Sequence, residues 1–285
     1  MSHPALVPDR TAVITGGASG IGLATAERLL DLGMNVCLAD CDEAALAAAK
    51  TRLAERSDRG ADAVLAVVTD VARLDSIERL RDAALARFGE LALVMNNAGT
   101  GGGGGAWRGY DAWQRVLSVN LLGVVHGLQV FTPVLIEQGL PAAIVNTGSK
   151  QGITNPPGDA AYNASKAAVK SLTESLGHEL RSLPDCRVTA HLLVPGFTWT
   201  GMMQRFLPER PPGAWLPAQV ADHLLESIGR GDFYVLCPDN EVTPEIDRRR
   251  IEWAAGDLTQ NRPALSRWHP DWKDAYEAFM RAGAE

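Results

Sequence analysis

Positive charge, cysteine and long apolar runs are all scarce in this chain. Lysine and arginine number 27 against 34 aspartates and glutamates, a net charge of −7. An acidic surface is not rewarded by nucleic acid or by an anionic bilayer, so neither is expected as a partner. The four cysteines, Cys37, Cys41, Cys186 and Cys237, form no CxxC and no His/Cys pair at zinc spacing. That argues against a disulfide framework and a structural metal site, and it suits a reducing compartment. No stretch approaches the roughly 18 unbroken apolar residues of a membrane span. The opening MSHPALVPDR carries no leader-like apolar run or cleavage pattern. A soluble, cytoplasmic protein is the expectation.

Apolar material is plentiful: 46% of the 285 residues are hydrophobic and 21% charged. That suffices for one large core and excludes disorder as the main state. Short apolar runs at 11–15, 34–40, 63–68, 91–95, 142–146, 187–194 and 233–236 read as strands. Between them, amphipathic stretches at 21–32, 42–56, 73–88, 111–137, 160–183 and 218–228 read as helices. Strands apolar throughout are buried on both faces, and regular β-α-β alternation predicts an α/β fold. We expect a single Rossmann-type, doubly wound parallel sheet with helices on both faces. Residues 1–237 would form the catalytic domain, with a lid about 197–217. Residues 238–285 would form a C-terminal extension of one or two helices packed on the core. The five consecutive glycines at 101–105 predict a mobile loop, because their backbone is costly to order.

The first strand runs into Thr15-Gly16-Gly17-Ala18-Ser19-Gly20-Ile21-Gly22, and a helix follows at once. Such a turn lets backbone approach a pyrophosphate at the positive end of a helix. Glycines also mark ordinary strand–helix turns, so the loop alone does not decide. Asp40 adds to it. It ends the second strand, one helix and one strand on from Gly22, where a carboxylate can accept both adenosine ribose hydroxyls and repel a 2′-phosphate. A solvated strand-end aspartate is the alternative. No Lys or Arg lies between Arg10 and Arg28, or between Arg28 and Lys50. The expectation is therefore NAD over NADP.

Tyr162 and Lys166 form a YxxxK on the helix predicted at 160–183. A spacing of four puts both side chains on one face, about 6 Å apart along the axis. A nearby ammonium lowers a phenol pKa that is ordinarily about 10, which would suit Tyr162 as a general acid/base. A surface pair would have the same spacing. Ser149 ends the fifth strand, a short way before Tyr162, where an open parallel sheet binds its ligand. It could equally be a turn former.

Taken together, these motifs make the chain resemble the short-chain dehydrogenases/reductases over about residues 11–236. TGGASGIG matches the family's cofactor loop, Asp70-Val71 its adenine-side motif and Asn96-Asn97-Ala98-Gly99 its NNAG. Asn120 matches the helix asparagine, Ser149, Tyr162 and Lys166 the catalytic residues, and Pro195-Gly196 the turn after the sixth strand. The resemblance implies that Gly16, Ser19, Gly20, Ile21, Gly22, Asp40, Asp70, Val71 and Asn97 bind NAD. It also implies that Thr198 and Thr200 hold the carboxamide. Tyr162 would exchange the alcohol proton, Ser149 bind the substrate oxygen, and Lys166 hold the nicotinamide ribose and depress the Tyr162 pKa. Asn120 would hold a water that relays protons from Lys166. A homodimer or homotetramer, built on the Tyr162 helix and the helix before it, is implied as well. No metal is.

Departures from the family pattern are Lys150 after Ser149, whose cation either perturbs the site or reaches solvent, the glycine run, and the tail. The lid residues Phe197, Trp199, Met202, Met203, Phe206, Leu207 and Trp215 either line a pocket for a hydrophobic or aromatic alcohol or ketone, or pack on the body. Trp107 and Trp113 are candidates for its far wall. Arg205 and Arg210 could meet a carboxylate or solvent. A non-catalytic NAD-sensing protein on the same fold is the rival reading, and a lyase or dehalogenase that has lost the nicotinamide site is a weaker one.

Overall fold

The computed structural model describes residues 3–205 and 207–282. Seven strands form one wholly parallel sheet: β1 (Thr11–Thr15), β2 (Asn35–Asp40), β3 (Val64–Val68), β4 (Leu93–Asn96), β5 (Ala142–Thr147), β6 (Val188–Val194) and β7 (Tyr234–Leu236). Their order is β3-β2-β1-β4-β5-β6-β7. The order reverses between β1 and β4, and the crevice outside the carboxyl ends of those two strands is where such sheets take a ligand.

Successive residues of a strand point to opposite faces, so each strand feeds two cores. Ile14 and Leu38 join Leu29, Leu53, Leu224 and Ile228 on one face. That face carries α1 (Gly20–Asp31), α2 (Glu43–Arg56) and α9 (Pro217–Arg230). Val13 and Cys37 join Leu80, Phe131, Leu135 and Val169 on the other. There α3 (Leu74–Phe88), α4 (Tyr110–Leu117), α5 (Gly123–Glu137) and α7 (Ala160–Ser182) pack.

The helix predicted as continuous over 111–137 carries a π turn at Ser118–Leu122, between α4 and α5. By length and composition this run, Tyr110–Glu137, could cross a membrane, with mean hydropathy 1.7 over its most apolar window. Here one face of it lies against the sheet, where Phe131 and Leu135 are fully buried. The other borders a groove of about 480 Å³ shared with α7 and lined by Val125, Gln129, Thr132, Leu172 and Ser175.

Two short helices, α6 (Gln151–Thr154) and α8 (Gly201–Gln204), follow the ends of β5 and β6. After β7 come α10 (Pro244–Thr259) and α11 (Lys273–Arg281), joined through two 3-10 turns. Trp253 of α10 is buried between them, edge-on to Tyr276 at 5.3 Å and stacked by Arg262 at 4.0 Å. α10 reaches the rest of the molecule at α6.

Candidate active site

The turn after β1 is a backbone cradle. Gly16 has φ +63°, which disfavours a side chain, and a Cβ added at Gly22 would overlap the Gly16 carbonyl oxygen. α1 begins with Ser19 as an extended N-cap, with no side-chain cap bond and no acid in its first turn. The amides of Gly20, Ile21 and Gly22 are thus left for an anion at the positive end of the helix. Asn97 holds the cradle: its Nδ2 donates to the carbonyls of Thr15 and Gly16 at 3.0 and 3.2 Å. Asp40 stands beside the cradle. Its Oδ2 accepts from the Ala18 amide at 3.2 Å, and its Oδ1 accepts from the amide of Asp42. The exposed Asp70 carboxylate is turned onto the Ala72 amide at 3.0 Å, while Val71 is buried and its carbonyl meets His126 Nδ1 at 2.8 Å. These groups fit a dinucleotide: a side-chain-free cradle at a helix N-terminus, with a carboxylate one strand away.

Ser149, Tyr162 and Lys166 come together at the carboxyl edge of the sheet. Lys166 Nζ is 5.7 Å from the Tyr162 ring centroid and donates to the Thr147 carbonyl at 2.7 Å. Burial alone lowers the Lys166 amine to about 8. The expectation that Lys166 depresses the phenol is not met in this geometry: the Tyr162 pKa is raised. Burial of its hydroxyl end is the main cause, the Ser149 hydroxyl opposes it, and the Asp159 carboxylate adds to it. Lys166 is not among the causes of that shift: with its own pKa near 8, the amine has lost most of its charge by the pH at which the phenol ionises.

Asn120 sits in the π turn, fully buried. Its side chain clasps Thr100, accepting from the amide at 2.7 Å and donating to the carbonyl at 2.9 Å, and it donates to Ser165 Oγ at 3.2 Å. Its side-chain groups are thereby occupied by protein, so a relay through it would have to use the backbone that a π turn frees.

The glycine run is not a free loop. Asp159, the N-cap of α7, accepts from the amides of Gly102 at 2.8 Å, Gly103 at 3.1 Å and Tyr162 at 3.1 Å. Ala160 donates back to the Gly104 carbonyl at 3.0 Å. A Cβ on Gly103 would collide with Ala161, so glycine is needed there for close approach. The expected mobility is offset because one carboxylate satisfies two of the run's amides.

The Lys150 ammonium is buried and pairs with Asp247 of α10 at 2.5 Å, and it is not among the causes of the Tyr162 shift. Thr200 lies against the cradle, its Cγ2 3.3 Å from where Gly20 would carry a Cβ, and Thr198 is buried in a bridge with Trp215. Met202 faces the glycine run, its Sδ 3.7 Å from a Cβ position at Gly101. Phe197, Trp199, Met203 and Leu207 are half-buried, and Phe206 lies outside the described residues. Trp215 is partly buried, packed on the core and edge-on to His223. Trp107 is 79% exposed and stacked with Arg108, whereas Trp113 Nε1 donates to the Gly105 carbonyl at 3.0 Å.

The family model for the short chain dehydrogenases matches residues 10–211. The chain belongs to that family. Over 202 residues it is 36% identical to a 3beta-hydroxysteroid dehydrogenase 2 of Eggerthella lenta, covering 70% of this chain and 75% of the relative. Over 265 residues it is 36% identical to a 1-deoxy-11-beta-hydroxypentalenate dehydrogenase of Streptomyces exfoliatus, covering 91% and 94%. A short-chain dehydrogenase/reductase from Burkholderia phymatum, solved in complex with NAD, superposes with a TM-score of 0.81 at 37% identity, covering 90% of this chain and 96% of that one. This short chain dehydrogenase is therefore an oxidoreductase of alcohols or ketones, in a family that binds NAD or NADP.

Thr147, Asp159 and Asp247 each bond to a candidate site residue or to its neighbour, and none of them belongs to a family motif. Thr147 accepts from Lys166 and donates through its hydroxyl to Asn97 Oδ1 at 3.3 Å, linking Lys166 to the cradle. Nothing local in the sequence marks it. Asp159 was findable as an Asp immediately before a helix. Asp247 was not, because its partner Lys150 is remote in sequence.

Proposed function

We propose that this chain is an NAD-dependent dehydrogenase that interconverts a hydrophobic or aromatic secondary alcohol and its ketone. The observation that carries this is the convergence of Ser149 and Lys166 on Tyr162, beside a cradle flanked by the Asp40 carboxylate. In oxidation Tyr162 accepts the hydroxyl proton through its phenol oxygen, and Ser149 holds the substrate oxygen while the C–H bond breaks. The oxidised nicotinamide, when bound, supplies the carbon that accepts the hydride. Lys166 holds the nicotinamide ribose and passes the proton onward, and in ketone reduction the same groups return it. Gly16, Ser19, Gly20, Ile21 and Gly22 seat the pyrophosphate, Asp40 the adenosine ribose, Asp70 and Val71 the adenine. Asn97 supports the cradle and Thr198 and Thr200 the carboxamide side.

Phe197, Trp199 and Met202 make the lid apolar, which supports a hydrophobic substrate. The hydroxysteroid and hydroxypentalenate dehydrogenases among its relatives support the same class. We read residues 1–237 as the catalytic unit, 238–285 as an extension, and the protein as cytoplasmic. The groove between α5 and α7 is read as the face that pairs with a second copy.

The test is a comparison of wild type, Tyr162→Phe and Asp40→Ala. Tyr162→Phe should bind NAD within about threefold of wild type, by nicotinamide fluorescence, and lose roughly 10²–10⁴ in turnover over a secondary-alcohol panel. Wild type should prefer NAD to NADP by more than about tenfold, and Asp40→Ala should shrink that preference. Full turnover by Tyr162→Phe would remove the mechanism. Cofactor binding with no turnover by wild type would favour the sensing protein.

A further inference from the structure

The ion cluster behind Ser149 has no part in the mechanism above. Lys150 leaves the end of β5 next to Ser149, and its amide donates to the Pro195 carbonyl at 3.3 Å. Its ammonium crosses Gly196, where an added Cβ would lie 3.0 Å from Nζ. It meets Asp247 Oδ2 at 2.5 Å and Asp239 Oδ2 at 3.8 Å. The carboxylates are 5% and 7% exposed and the lysine 17%, so water screens this cluster little. Asp239 is itself fixed: its Oδ1 accepts from the amides of Glu241 at 3.1 Å and Val242 at 2.7 Å. One buried cation thus joins the Ser149 turn, the Pro195-Gly196 turn and α10.

The link continues into the catalytic helix. α6 begins directly after Lys150 and lies between α10 and α7. A Cβ on Gly152 would sit 2.5 Å from the backbone carbonyl carbon of Lys166. Any shift of Lys150 is therefore transmitted to Ser149 on one side and to the backbone of Lys166 on the other. A buried ion pair contributes little net stability compared with apolar side chains of similar size. Its distinctive effect is to fix one geometry.

We propose that Asp247, acting through Lys150, is a positioning residue for Ser149, so that the C-terminal segment completes the catalytic site. This rests on the dehydrogenase reading for its consequence in turnover. It does not rest on that reading for its consequence in structure.

Two variants of the full chain test it: Asp247→Asn, and the uncharged pair K150M/D247L, which keeps bulk and removes both charges. Amide hydrogen exchange over residues 148–154 should quicken at least tenfold in both, with residues 11–31 unchanged. At saturating NAD, kcat for any secondary alcohol that wild type oxidises should fall 10- to 100-fold. KM for that alcohol should stay within threefold, as should the NAD dissociation constant. The paired variant should lose no more than Asp247→Asn, because both act on one element. Wild-type kcat in K150M/D247L, or unchanged exchange at 148–154, overturns the proposal. So does failure of both variants to fold, since the cluster is then a stability element. Inactive wild type combined with quickened exchange at 148–154 sinks the dehydrogenase reading and keeps the positioning role.

Discussion

The Asp159 carboxylate caps the helix that carries Tyr162, gathers the amides of Gly102 and Gly103, and raises the phenol pKa by its charge. Asparagine caps a helix about as well as aspartate does, so Asp159→Asn separates the charge from the cap. The charged or polar groups facing the phenol are Ser149, Asp159 and Lys166. Removing the one anion lowers the phenol pKa. On the proposed mechanism the phenol must lose its proton to act as base in oxidation, so the acid limb of the kcat/KM profile moves to lower pH. Rates measured from pH 6 to 10 check this, and a limb that stays or climbs contradicts it. At this scale the sequence is most readable in spacing: YxxxK and the strand-end serine upstream of it identified side chains that do converge. The direction of the phenol shift was not readable. It depends on how much water packing removes from Tyr162, and no local pattern encodes that.

At the scale of elements, the start of the chain is tied to β6 by two histidines. Thr189 Oγ1 meets His191 Nε2 at 2.8 Å and His3 Nε2 at 3.3 Å, and His191 Nδ1 meets the Asp232 carbonyl at 2.7 Å. Burial, then the charge of His191, lowers His3 from 6.5 to about 4, and burial also lowers His191. Both folded pKa values lie below the unfolded one, so the unfolded chain takes up protons first as the pH falls. Their contribution is intact above about 6.5 and drains away toward 4. Melting at pH 5 should come several degrees below melting at pH 7.5, and His3→Gln should flatten that difference. An equal slope in the variant would count against these histidines. Sequence pattern located all seven strands because each feeds a two-sided core with short apolar runs. It missed the π turn at Asn120, since periodicity within one helix does not register a single inserted residue. It took the glycine run for a loose loop because the stabilising partner, Asp159, lies far along the chain, beyond α5 and β5.

For the whole molecule, the groove between α5 and α7 and the tail beyond β7 are the two features that a single sheet does not account for. Leu172 is half-buried at that groove, and a guanidinium there would be desolvated by a partner's helices. Leu172→Arg should therefore convert an assembly of two or more 30.5 kDa chains into single chains by light scattering, while near-neutral melting changes little. A wild type that is already monomeric would remove this face as a pairing surface. A tail of one or two helices was legible from length and charge, but the hold of α10 on Lys150 was not, because it joins the end of β5 to a helix that begins only after β7. The arrangement around Asp159 has a bearing on how such an enzyme diversifies. Gly102 and Gly103 are anchored to the helix cap, whereas 106–109 carry the exposed Trp107 beyond that anchor. Residues 106–109 can therefore be rewritten, lengthened or exchanged between cousins without unseating the cap that holds Tyr162, so that variation at this surface and constancy at the helix are free to evolve apart.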